Sequence, residues 1–297
     1  MKKVLVVSHD AGGAEVLSSW LLQYECSYEA ILEGPARKIF SRKNLKISNL
    51  SFQEAILNVD FVITSTSWQS DLEKEVIRYS KKIGKYVISV LDHWVNYEER
   101  FLINGEMILP NEVWTLDKHA YSIAKNLFKD TLVKLEKNYY FQNIQDLLNK
   151  KFKSFTKKNE FIGLFIGENI SDHALKTYLD KDHFGYDENE ALEFLLENLS
   201  NININLKSIK IRPHPSEENY KYNWALENKI ISKISNSKEL LDDILHSDIV
   251  FGCDSMAMVI GLMAGKKVIS CIPENGRDCS LPFKEIQHLK NIIIKNI

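Results

Sequence analysis

Two hydrophobic periods alternate along this chain. Short runs such as Lys3 to Ser8, with Val4, Leu5, Val6 and Val7 in succession, are continuous and valine-rich, as expected of strands buried on both faces. Elsewhere apolar residues recur three and four apart, as in Val16, Leu17, Trp20 and Leu21, the stripe of an amphipathic helix. The strand pattern returns at Ala30 to Gly34, Phe61 to Ser67, Tyr86 to Leu91 and Glu112 to Leu116. Helical patterns occupy Asp71 to Lys82 and about Lys118 to Phe128. Such alternation predicts a parallel sheet in a doubly wound α/β domain.

The alternation stops at Thr131 to Lys158, a lysine-rich stretch with a short helical pattern at Ile144, Leu147 and Leu148 and no clear apolar strand. It restarts at Phe161 to Ile166. A helix near Glu188 to Leu199, a strand ending at Arg212, a short strand at Lys229 to Ile234 and a helix at Glu239 to His246 follow. Asp248 to Ser255 reads as strand and turn, Met256 to Ala264 as helix, and Val268 to Ile272 as strand. The expected fold is α/β, with two Rossmann-like domains whose ligand edges face a common cleft. An N-terminal domain spans residues 1–130, a crossing segment 131–158 and a C-terminal domain 159–297.

Composition narrows the partners. The chain has 297 residues, 44% hydrophobic and 26% charged, ordinary for a soluble globular protein. A formal net charge of −2 gives no general drive toward nucleic acid or anionic membrane. A phosphorylated ligand must therefore be met by a local cluster. No apolar run approaches the roughly 20 residues that span a bilayer. The start, Met1-Lys2-Lys3-Val4-Leu5-Val6-Val7, imitates a signal peptide, but its apolar core meets His9-Asp10 at once. The cysteines Cys26, Cys253, Cys271 and Cys279 have no CxxC spacing and fit reduced, structural thiols in a cytoplasmic protein.

Candidate chemistry gathers just after predicted strands, the edge where open α/β sheets bind ligands. After the first strand come His9-Asp10-Ala11-Gly12-Gly13, a glycine turn opening a helix; Asp10 also suits a helix cap. After the Tyr86 strand come Asp92-His93-Trp94, with Glu98 and Arg100 close behind, too polar for core. Gly167-Glu168-Asn169 ends the Phe161 strand. In Arg212-Pro213-His214-Pro215-Ser216, each proline holds its predecessor extended, so a cation and an imidazole are held rigidly at a strand end. The turn Gly252-Cys253-Asp254-Ser255 opens a helix; its N–H groups and the Ser255 hydroxyl suit a phosphate, and Asp254 or Ser255 equally suits a cap.

These residues resemble the GT-B glycosyltransferases, and more narrowly the bacterial enzymes with a His-Pro motif: sialyltransferases, polysialyltransferases, and glycerophosphate transferases of capsule and wall-polymer synthesis. His214-Pro215 matches the His-Pro motif and Ser255 the serine motif after the penultimate strand. In those families both contact the nucleotide of a cytidine-linked donor. Asp248 to Pro273 also resembles the donor-side segment of other GT-B enzymes, including the UDP-GlcNAc 2-epimerases. The resemblance covers the C-terminal half, and the N-terminal half in architecture. The sialyltransferases' acidic-acidic-glycine motif has no direct counterpart; Asp10-Ala11-Gly12-Gly13 is the nearest loop.

The resemblance implies a transferase that moves a sugar from a nucleotide-sugar donor, CMP- or CDP-linked among the candidates, to a bacterial surface polysaccharide or lipopolysaccharide. A glycan or lipid-linked acceptor leaves room for peripheral membrane contact. The acceptor hydroxyl needs a general base, for which Asp10 comes first and His93 second. Glu168, Arg212, His214, Pro215, Ser216, Asp254 and Ser255 are the expected donor-binding residues; His9, Gly12, Gly13, Asp92, Glu98 and Arg100 line the acceptor side or cleft. Charge on the leaving phosphate is offset by Arg212, His214 and the Ser255 turn, without metal or cofactor. The single DxD, Asp180-Lys181-Asp182, follows no recognisable strand. A sugar-nucleotide 2-epimerase or hydrolase on the same fold is the alternative, and a binding module without catalysis is a third reading.

Overall fold

The computed structural model describes residues 1–67, 70–151, 159–237 and 239–296. It divides into two compact units, Met1–Ile144 and Gln145–Ile297. Residues 152–158 of the expected crossing segment lie outside the described residues.

Unit 1 contains strands β1 (Lys3–Ser8), β2 (Ser27–Leu32), β3 (Phe61–Thr64), β4 (Tyr86–Leu91), a small β5–β6 hairpin (Leu102–Ile103, Glu106–Met107), β7 (Glu112–Thr115) and β8 (Leu132–Leu135). Its helices are α1 (Ala11–Leu21), α2 (Gly34–Arg42), α3 (Phe52–Leu57), α4 (Leu72–Lys82), α5 (Lys118–Leu127) and α6 (Tyr139–Lys151), the last running on past Ile144. The main sheet is parallel throughout, in the order β2-β1-β3-β4-β7-β8. Val4 to Val7 are fully buried, as their unbroken apolar run demands.

The reading of Thr131 onward as a crossing without a strand is corrected here. Leu132–Leu135 pairs with β7 and closes the sheet. Only Val133 of its four residues is buried, so as an edge strand it carries no continuous apolar signal.

Unit 2 contains β9 (Phe161–Ile166), α7 (Ile170–Tyr178), α8 (Glu188–Glu197), β10 (Leu206–Arg212), β11 (Ile231–Ile234), α9 (Leu240–Leu245), β12 (Ile249–Gly252), α10 (Met256–Met263), β13 (Lys267–Ser270), β14 (Ile286–His288) and α11 (Leu289–Asn296). Its sheet is parallel, in the order β11-β10-β9-β12-β13-β14. Phe165, Phe251, Leu192, Leu195 and Tyr222 dominate its core. Among the described residues no helix is long and apolar enough to cross a membrane.

Both strand orders reverse direction once. In unit 1 the chain winds outward on either side of the β1–β3 pair, and in unit 2 on either side of β9–β12. Connections leave in opposite directions at such a pair, opening a crevice at its C-terminal edge.

Candidate functional site

The unit 1 crevice is built by the turn after β1. Asp10 precedes α1 with φ −79° and ψ 154°, the backbone of an N-cap, but its side chain makes no capping bond. It meets its neighbour instead: His9 Nδ1 and Asp10 Oδ1 are 2.7 Å apart. A carboxylate there accepts, so Nδ1 carries the proton and Nε2 keeps its lone pair. Both side chains are 23% exposed, open enough to meet a ligand. Gly34, at φ +48°, lies against the ring: a Cβ there would come within 2.7 Å of His9 Nε2.

Asp92 comes from the end of β4 to the same turn. A Cβ on Gly12 would fall 2.2 Å from Asp92 Oδ2, so the glycine lets α1 begin directly over that carboxylate. Arg100 Nη1 reaches Asp92 Oδ1 at 3.0 Å and also donates to the Thr66 carbonyl and hydroxyl; its Nε donates to the Val95 carbonyl. Arg100 is a buried brace for the β3 and β4 ends. Gly13 packs on Ser65, where a Cβ would sit 2.3 Å from that of Ser65. The His93 ring lies against Trp94, whose indole N–H donates to Asp117. Glu98 is exposed.

One residue at this crevice went unread in the sequence. Glu73, the second residue of α4, is buried and its Oε1 accepts from the His9 N–H at 2.8 Å and the Ser65 hydroxyl at 2.9 Å. In sequence it is one more polar residue in a helical pattern.

In unit 2 three strand ends converge. Glu168, after β9, places Oε1 2.8 Å from the N–H groups of both Cys253 and Asp254. The carboxylate thus sits where the α10 turn was expected to take a phosphate, and two of that turn's donors are engaged. Burial pushes the Glu168 carboxyl up to about 7, outweighing those two bonds. The Ser255 hydroxyl is buried with no hydrogen-bond partner among the described residues. Asp254 accepts from Ser280 N–H and hydroxyl, from the Cys279 thiol and from Arg277, whose guanidinium stacks 4.2 Å over Phe184.

The His214 loop joins this edge through Asn169, which donates to the Ser216 hydroxyl at 3.0 Å. Ser216 Oγ lies 2.7 Å from His214 Nδ1, and the Ser216 N–H reaches the same nitrogen at 3.2 Å. A backbone N–H can only donate, so Nδ1 accepts and the ring proton sits on Nε2. His214 is thus the tautomeric opposite of His9: an outward donor rather than an acceptor. Glu217 accepts from the His214 N–H at 2.8 Å and from the Tyr222 hydroxyl. The residue is exposed, while desolvation within the loop lowers the ring pKa and favours this neutral form.

Arg212, the last residue of β10, is paired with α9. Its Nη1 lies 2.6 Å from Asp243 Oδ2 of α9 and also donates to the Ser237 carbonyl. Lys210 and the Ser235 hydroxyl bind the same carboxylate. Asp180-Lys181-Asp182 lies exposed between α7 and α8.

No protein-family model matches the chain, and no curated protein matches it. Solved structures do. UDP-GlcNAc 2-epimerase from Neisseria meningitidis, bound to UDP-GlcNAc, is 12% identical over 99% of this chain and 90% of its own, with a TM-score of 0.61. The Methanocaldococcus jannaschii UDP-GlcNAc 2-epimerase, in complex with UDP-GlcNAc and UDP, is 12% identical over 99% and 91%, with a TM-score of 0.60. MurG of Acinetobacter baumannii is 12% identical over 99% and 83%, with a TM-score of 0.50. At such identities the likeness is one of fold, and the fold is α/β with two parallel-sheet, Rossmann-like units of the GT-B type.

Proposed function

We propose that this chain is a nucleotide-sugar glycosyltransferase. The carrying observation is the His9–Asp10 pair at the unit 1 crevice. A carboxylate on Nδ1 leaves Nε2 able to take a proton, and the imidazolium so formed is stabilised by the same carboxylate. That is the equipment for deprotonating an acceptor hydroxyl as it attacks the donor sugar. Asp10 is the carboxylate of the base and His9 its proton carrier; His93 is the second candidate.

In unit 2 the donor's phosphate is met by His214 Nε2–H, and the Ser255 hydroxyl has bonding capacity to spare. Charge growing on the leaving group is offset without a change in His214's protonation state. His214-Pro215 and Ser255 also carry the resemblance to the His-Pro-motif transferases, and with it a cytidine-linked donor and a capsule or lipopolysaccharide acceptor.

An epimerase or hydrolase is the second reading, favoured by the solved neighbours that bear UDP-GlcNAc 2-epimerase names. Fold likeness alone does not select between chemistries. A thermal-shift screen with CMP, CDP, UDP, GDP and dTDP identifies the nucleotide. Turnover of the matching sugar nucleotide is then followed with and without candidate glycan acceptors. Acceptor-dependent release of nucleotide, abolished in Asp10→Asn, is expected. Equal turnover of donor alone sinks the transferase in favour of the second reading.

A further inference from the structure

Beneath the His9–Asp10 pair lies a carboxyl group with an unfinished hydrogen-bond inventory. Glu73 is 1% exposed. One oxygen, Oε1, holds the His9 N–H and the Ser65 hydroxyl, and Ser65 Oγ lies 2.8 Å from Ser8 Oγ. The other oxygen, Oε2, is buried with no hydrogen-bond partner among the described residues. An ionised carboxylate in that setting is costly. Desolvation raises its pKa, against the bonds from the backbone and Ser65, and the nearby Asp10 charge adds to the rise.

The surrounding groups match this. His9 and Asp10 face Glu73 from the β1–α1 turn, and the end of β3 contributes the uncharged Ser65. On its own helix Asp71 and Lys74 are paired with each other at 2.7 Å.

We propose that Glu73 is a positioning residue for the His9–Asp10 pair: its Oε1 fixes the His9 backbone and so sets the ring against the Asp10 carboxylate. The catalytic consequence rests on the reading of that pair as a base, but the placement of the ring is measurable without any reaction.

Long-range nitrogen–proton NMR of the full chain reads the tautomer of each histidine, with His9 assigned by its loss in His9→Asn. The wild type and Glu73→Gln should hold His9 in the Nδ1–H form, because the amide carbonyl can replace Oε1. In Glu73→Ala the His9 N–H loses its acceptor while the Ser65 hydroxyl turns to Ser8, and His9 should become a mixture of tautomers. Glu73→Asp withdraws the acceptor by one methylene and serves the same purpose should the alanine variant fail to fold. In both, kcat should fall about tenfold to a hundredfold with KM little changed, while Glu73→Gln stays near wild type. An unchanged His9 tautomer in a folded Glu73→Ala or Glu73→Asp protein overturns the proposal. So does a Glu73→Gln protein that behaves like Glu73→Ala. Altered tautomers in a protein that turns over no donor would sustain the positioning role and remove the transferase reading.

Discussion

Replacing Glu168 with Gln isolates a single titration in the core edge of unit 2. The Gln carbonyl can accept from Cys253 and Asp254 as Oε1 does, so geometry is kept and only ionisation is lost. In the wild type, burial raises the Glu168 carboxyl from 4.5 to about 7, against the two backbone bonds. The folded value lies above the unfolded one, so the native state holds more protons between them. Stability from the neutral form is therefore fully present below about pH 4.5 and is lost as pH rises through about 7. At about 1.4 kcal/mol per pH unit, this window amounts to about 3 kcal/mol. Urea unfolding followed by circular dichroism, with wild type and variant side by side at several pH values, measures it. The variant should gain on the wild type by about 3 kcal/mol from acid to neutral pH, other titrations cancelling in the difference. A constant difference across the window refutes the reasoning.

Two further changes probe the frames of the two edges. Asp243→Ala strips Lys210 and Arg212 of their shared carboxylate and should cost about 3 kcal/mol in urea unfolding; a loss below about 1 kcal/mol would place the bridge among weak surface pairs. Burial acts to raise the Asp243 carboxyl, but bonds from Ser235, Arg212 and Lys210 outweigh it and hold it low, so this stabilisation is present above the ordinary Asp range and fades as pH falls through the folded value. Gly13→Ala drives a methyl into Ser65 and should lower stability by about 1–3 kcal/mol, read as a drop in Tm; an unchanged Tm would mean that α1 shifts freely at its start.

What could be read in advance follows from how each residue signals its environment. β4 and β9 begin and end where their apolar runs do, because strands buried on both faces leave no other pattern. β14 has one buried residue in three and was invisible for the same reason as β8. The loops after β1, β4, β9, β10 and β12 stood out because polar residues directly after an apolar strand have few structural uses. Their partners did not. Glu73 and Asp243 are buried acids within helical patterns, and neither spacing nor composition separates them from a solvated helix face. Glu168 was legible as a strand-end acid, but its partners Cys253 and Asp254 stand some eighty residues away, and only the register of β9 against β12 brings them together.

Two anion-ready turns in unit 2 are already occupied by the chain itself. Glu168 fills the turn before α10, taking the Cys253 and Asp254 N–H groups, and Glu188 accepts from Ile170 and Ser171 at the start of α7, with Lys221 held against it. Each is a tethered competitor, with a local concentration set by the fold rather than by the solution. A free anion arriving at either position must displace a carboxylate that cannot diffuse away. Inorganic phosphate, abundant in any cell, gains little there. A ligand that brings a base, a ribose and several phosphate oxygens can recover the exchange through its other contacts. If this edge takes a nucleotide, as proposed, it discriminates by ligand size and shape as well as by charge.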